Sequence, residues 1–228
     1  ATSGELLERL GGLWVIYFLP RTRIFGHGNI IKYSRRPGLT EQEQWKLDTG
    51  ERFKVCWDSV QRMNCYLLDE INKIVEPDDI LWHLGDFCFA PKSEYYKAAK
   101  DFRDRIACRN VHLVWGNHDN YSIANLFSSS HKMETVYHDG QEIVCNHYAM
   151  AIWNKSHRGA WHLYGHSHAG AEEWLDKALP GRRAFDVGVD NAAKILGAYR
   201  PWSFEEIKKI MDKRQGSVID HHGEEWSS

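Results

Sequence analysis

The sequence predicts an α/β (α+β) fold, with two sheets packed together and helices outside, as one domain over 1–228. Three observations predict it. The first half alternates apolar runs with stretches of helical period, whereas the second half is rich in short strand-like runs. Four of the apolar runs stop abruptly at a short polar turn, as strands do where open α/β sheets place their ligands. No linker, repeat or low-complexity segment divides the chain.

Composition is consistent with such a domain. The 228 residues suffice for one sizeable core, and 43% hydrophobic with 26% charged residues is ordinary for a globular chain. The formal net charge of −2 provides no global basic field of the kind nucleic acid would call for. The five cysteines show no C-x-x-C spacing and read as reduced thiols of a cytoplasmic protein. No apolar run approaches a membrane span, and no leader peptide is expected.

In chain order, residues 1–12 read as a loosely ordered lead-in. Leu13 to Leu19 is wholly apolar, so a central strand buried on both faces is expected, ended by Pro20. A loop follows, and Ile30 to Ser34 can open a short helix before Arg36-Pro37. Residues 38–54 are mixed and give no assignment. Val55 to Val75 carries Val60, Met63, Leu67, Leu68, Ile71 and Ile74 at helical spacing. Ile80 to Leu84 reads as a strand, and Ser93 to Arg105 as a helix capped by Ser93. Val111 to Trp115 is a buried strand, Ile123 to Phe127 a short helix, and Ser128 to His131 a loop. Glu134 to Tyr137 and Glu142 to His147 flank Asp139-Gly140 as a hairpin. Trp161 to Tyr164 and Arg183 to Val189 are expected strands. Ser203-Phe204-Glu205-Glu206 opens a final helix with a capping box, and residues 215–228 form a loose tail.

The chemistry sits where the runs stop. Trp115-Gly116-Asn117-His118-Asp119 follows one strand, and its glycine lets the backbone turn sharply. Gly85-Asp86, Asn146-His147 and Gly165-His166-Ser167-His168 follow three more. Carboxylate, amide oxygen and imidazole together suit Zn, Mn, Fe or Ni, not a thiolate site. His83 and His112 lie within strands and read as core groups, while His221-His222 and the lysines of the last helix read as solvated.

In order and approximate spacing, these four stretches resemble the second to fifth motifs of the calcineurin-like metallophosphoesterases. The match runs from about Trp14 to Ile207. Phe25-Gly26-His27-Gly28-Asn29-Ile30-Ile31, Arg36-Pro37 and Val187-Gly188-Val189-Asp190 further resemble a small bacterial and phage subgroup. The resemblance implies a four-layer α-β-β-α sandwich and two divalent ions (Mn, Zn, Fe, Ni or Mg) about 3.5–4 Å apart. It implies Asp86, Asn117, His147, His166 and His168 as metal ligands, with Asp86 bridging and His168 in the first site. It implies His118 as the general acid, with Asp119 orienting it. His27 and Arg36 are the expected substrate contacts, Arg36 meeting a phosphate bidentately, and Asp190 is expected to brace the site from a strand end.

The family's first motif, Asp-x-His, is missing. In one register its positions hold Thr22 and Ile24, in the other Arg21 and Arg23. One well-formed metal site and a doubtful second are therefore expected. The function expected is hydrolysis of a small phosphomonoester or phosphodiester. The rival is a one-metal member that binds a phosphorylated ligand with little turnover. A nuclease is a further rival, supported only by the local basic patch of Arg21, Arg23, Lys32, Arg35 and Arg36.

Overall fold

Nine strands and seven α-helices among the described residues build two sheets with helices on their outer faces. The computed structural model describes residues 16–20, by backbone alone, and 28–216. The lead-in 1–12, the loop carrying Arg21, Thr22, Arg23, Ile24 and His27, and the tail beyond Gly216 lie outside the described residues.

The first sheet has the order β4-β3-β2-β1-β9. Its strands are β1 (Ile16–Pro20), β2 (Ile80–Leu84), β3 (Asn110–Val114), β4 (Ser129–His131) and the short β9 (Trp202–Ser203). The first four run parallel and β9 pairs antiparallel with β1. The second sheet has the order β5-β6-β7-β8, from β5 (Met133–His138), β6 (Gln141–Asn146), β7 (Trp161–Tyr164) and β8 (Ala184–Asp186). Here β5 and β6 form the expected hairpin, and β6, β7 and β8 are parallel. Its turn residues Asp139 and Gly140 take φ of 48° and 72°, the left-handed pair that matches strand twist.

Alternation along the strands divides the core into layers. Leu81, Val111 and Leu113 face the helices α1 (Gly28–Tyr33), α3 (Trp57–Ile74) and α4 (Tyr95–Arg105). Ile80, Trp82 and Leu84 face the second sheet and meet Ile143, Cys145, Trp161, Leu163 and Phe185. Val144, Tyr164 and Ala184 face outward again, beneath Trp153 and Leu175 of α5 (Glu172–Ala178). The result is the four-layer α-β-β-α sandwich. The helix α7 (Phe204–Met211) has the capping box between Ser203 and Glu206 and adds Ile207 and Met211 to the inter-sheet core.

Several segments differ from expectation. The unassigned stretch 38–54 contains α2 (Glu41–Asp48), whose capping box joins Thr40 and Glu43. Glu43 also accepts from the Cys56 backbone at 2.7 Å and from the Ser59 hydroxyl, tying α2 to the start of α3. The helix α4 begins at Tyr95 with Glu94 at the cap, because a turn closed by Glu94 N–H on the Pro91 carbonyl precedes it. Ser129 to His131 is a strand, not a loop. It carries little apolar signal because pairing with β3, not burial, holds it. The run Arg183 to Val189 is only partly strand. The Asp186 carboxylate accepts from Gly188 N–H at 2.7 Å and turns the chain into α6 (Val189–Leu196). Asp190 therefore stands in the first turn of a helix rather than at a strand end.

Candidate functional site

The four polar turns leave the C-terminal ends of β2, β3, β6 and β7, two from each sheet. The sheets are joined there: His147 Nδ1 contacts the Leu84 carbonyl oxygen at 2.7 Å. Within the second sheet, the backbone N–H of His166 reaches the His147 carbonyl at 3.0 Å.

The turns pack too closely for ordinary residues. Gly85 has φ of 97°, and a Cβ there would collide with the His147 ring. A Cβ on Gly116 would collide with the Asp86 carboxylate. Asp86 itself takes φ of 53°, a conformation that costs a non-glycine residue energy and recurs at functional sites.

Asp119 holds this arrangement in place. It accepts from the backbone N–H of Asp86 at 2.6 Å, Phe87 at 2.7 Å and Gly116 at 2.9 Å, and from the Tyr95 hydroxyl at 3.1 Å. Burial pushes its carboxyl up to about 6, against those hydrogen bonds. Where Asp119 is expected to orient His118, both of its oxygens are engaged by these donors. Its oxygens bind the Asp86 and Asn117 turns together. His118 is fixed by its backbone, whose N–H reaches Asp86 Oδ1 at 2.8 Å. Its Nε2 stands 4.0 Å from Asp86 Oδ2, and the side chain is partly exposed.

The donors of Asp86, Asn117, His147 and His166 come together around one atom, His147 Nε2. It lies 3.2 Å from Asn117 Oδ1, 3.3 Å from His166 Nδ1 and 3.8 Å from Asp86 Oδ1. A carbonyl can only accept, so the proton of neutral His147 sits on Nδ1 and Nε2 keeps its electron pair. Two ligand bonds of about 2.1 Å at right or tetrahedral angles set donor atoms about 3.0–3.4 Å apart. The imidazole and amide spacings fit that range. Among the described residues no three His, Cys, Asp or Glu side chains alone make a metal-holding group. The set depends on the Asn117 amide, with Asp86 slightly wide.

His168, the expected ligand of the first site, follows His166 on the same turn and engages a carboxylate. Its Nδ1 lies 2.7 Å from Asp190 Oδ2, and its backbone takes φ of 51°. Arg36 engages the same carboxylate as a fork, Nε to Oδ1 at 2.8 Å and Nη2 to Oδ2 at 2.7 Å. Arg36 is 2% exposed. The expectation that it meets a substrate phosphate bidentately is corrected: that face of the guanidinium is filled by Asp190. Burial would raise the Asp190 carboxyl, but the Arg36 charge outweighs it and holds the group well below the usual carboxylate range.

Sequence reasoning missed Asp186. It is fully buried and accepts from the Ser167 hydroxyl and the Ala169 backbone, each at 2.9 Å, bracing the turn that carries His166 and His168. Burial pushes it up to about 6. The strand run before Val187-Gly188 hid it, since a carboxylate closing a turn needs only one helpful neighbour in sequence. His83 and His112 behave as core groups. His83 is fully buried beside Phe87 with neither ring nitrogen hydrogen-bonded, and burial, aided by His147, lowers it to about 3.

Phe89 and Tyr148, both partly exposed, flank the donors, near His118 and His166 respectively. Within the basic patch, Lys32 binds the Phe53 carbonyl and Arg35 pairs with Asp48, so its described cations face internal partners. Among the described residues no helix is long and apolar enough to cross a membrane.

No family model matches the chain. An uncharacterized protein of Methanocaldococcus jannaschii is 26% identical over 206 residues, covering 90% of this chain and 94% of that protein. The crystal structure of a protein of unknown function from Aquifex aeolicus superposes with a TM-score of 0.56. It is 21% identical and covers 86% of this chain and 98% of that one, a likeness of fold. Two further structures are more distant, each with a TM-score of 0.33 over 68% of this chain. They are Yfce, a phosphoesterase from E. coli (16% identical, 70% of its chain), and a Vps29 single mutant from Entamoeba histolytica (15% identical, 64% of its chain).

Proposed function

We propose that this chain is a metal-dependent phosphoesterase acting on a small phosphomonoester or phosphodiester. The observation that carries the reading is the convergence of the Asn117 oxygen and the His166 nitrogen on the lone-pair nitrogen of His147, with Asp86 alongside and His118 at the edge. Asp86, Asn117, His147 and His166 would hold one divalent ion. When bound, such an ion neutralises phosphoryl oxygens and makes water a nucleophile near neutral pH.

The chain's own residues do the rest. Hydrolysis breaks a P–O bond and leaves an alkoxide that needs a proton. His118 holds that proton on its ring and delivers it to the leaving oxygen. Its backbone anchor on Asp86 keeps the ring beside the donors, so donor and substrate do not have to find each other. The Leu84 carbonyl fixes the His147 tautomer, and Asp119 keeps the Asp86 and Asn117 turns in register.

A second reading, a one-metal binder of a phosphorylated ligand with little turnover, is favoured by the missing Asp-x-His. Metal content of the purified protein, measured beside hydrolysis of bis-p-nitrophenyl phosphate with Mn, separates them. We expect about one tightly held ion per chain, and hydrolysis that chelation abolishes. Tight metal without hydrolysis of any phosphomonoester or phosphodiester in a panel selects the binder. Neither metal nor hydrolysis overturns both.

A further inference from the structure

We infer that Arg36 and Asp190 are positioning residues that fix the tautomer of His168, keeping its proton on Nδ1 and leaving Nε2 as an electron-pair donor. What His168 then does rests on the phosphoesterase reading; the tautomer does not.

The argument starts from the guanidinium. Arg36 is nearly wholly buried and cannot give up its charge, so it needs a carboxylate. It finds Asp190 from 154 positions away and meets both of its oxygens. A carboxylate held ionised in this way can only accept hydrogen bonds. Asp190 Oδ2 has a second neighbour, His168 Nδ1 at 2.7 Å. That nitrogen must therefore be the donor, and in a neutral ring Nε2 then carries the lone pair. This is the form in which an imidazole can ligate a cation, and carboxylates behind ligating histidines commonly select it.

A purely structural ion pair would stop at Arg36 and Asp190. The third member instead comes from the turn that carries His166, on a backbone held at φ of 51°, with Ala169 following at 62°. Left-handed geometry in two successive non-glycine residues costs energy, and it persists because the surroundings impose it. Asp186 holds Ala169 from one side and Asp190 holds His168 from the other, so two buried carboxylates define the turn.

The test compares the wild type with the double variant Arg36→Met/Asp190→Leu. Replacing a buried ion pair by apolar residues of similar size often preserves folding, so the double variant keeps the core while removing the acceptor behind His168. In metal-free, nitrogen-15-labelled protein, long-range proton–nitrogen correlation spectra report each histidine tautomer; His168→Gln assigns the signal. We expect His168 as Nδ1–H in the wild type, and a shift to the Nε2–H form favoured in water in the double variant. A wild-type His168 in the Nε2–H form overturns the inference, and that measurement suffices if the double variant does not fold. An unchanged tautomer in a folded double variant overturns it too. Absence of Mn binding in the wild type instead defeats the phosphoesterase reading, while the spectra still decide the tautomer.

Discussion

His147 donates from Nδ1 to the Leu84 carbonyl across 2.7 Å, joining the end of a strand in one sheet to the end of a strand in the other. The contact fixes the spacing of the sheets at the point where their polar turns meet. It also decides which nitrogen of His147 faces Asn117 and His166. One hydrogen bond thus links the packing of the sandwich to the chemistry of the cluster.

Replacing His118 with Asn should separate proton delivery from metal holding. The side chain lies at the edge of the donor cluster and its backbone anchor survives the change. We expect turnover to fall by roughly 10²–10⁴ with metal content nearly unchanged, measured as kcat beside ion analysis. Loss of metal in the variant would show that the role is misassigned.

Gly116→Ala should be far more damaging than its size suggests. The new methyl would strike the Asp86 carboxylate and backbone, which are held by the His118 N–H and by Asp119 and cannot move away. We expect loss of metal and destabilisation on the order of 3 kcal/mol or more. Gly50→Ala is the control: its Cβ meets nothing within 4 Å, so only the cost of φ at 75°, about 1 kcal/mol, remains. Equal urea midpoints for the two variants would argue against the close approach.

His83 makes stability depend on pH in a defined direction. Its folded pKa is lowered from 6.5 to about 3, so between those values the unfolded chain binds the extra proton. Stability from keeping this ring neutral is present above pH 6.5 and is lost as pH falls toward 3. His83→Leu removes two buried nitrogens that have no hydrogen bond. We expect a gain of about 1 kcal/mol at pH 7 and a flatter decline in acid, followed by urea unfolding across pH. A variant less stable at every pH would contradict this.

Asp186→Ala should loosen one turn and leave the others intact. Ser167, Ala169 and Gly188 lose their shared acceptor together. Amide exchange should accelerate at Ala169 and Gly188 but not at Gly116, and metal affinity should fall by about 10–100-fold. Uniform acceleration across all the turns would point to global destabilisation instead.

The strand ends were legible in the sequence because their signals are local. An apolar run of four or five residues followed by glycine or a short polar turn needs no distant partner, and Asp86, Asn117, His147 and His166 all follow such runs. The same holds for the Asp139-Gly140 hairpin and the Ser203 capping box. What the tertiary structure decided was every feature whose partner lies far away in the chain. β4 exists because β3 offers it an edge, not because its own residues prefer to be a strand. Asp119 was read beside His118 by adjacency, but its acceptors were claimed by backbone groups 32 and 33 positions earlier. Arg36 resembled a free phosphate contact until Asp190, turned into a helix by Asp186, supplied the carboxylate that its buried charge requires. Residue type determined which groups could bind a proton, an ion or a phosphate; only packing determined which of them were already engaged, because desolvation makes a buried charge find its partner wherever in the chain it lies.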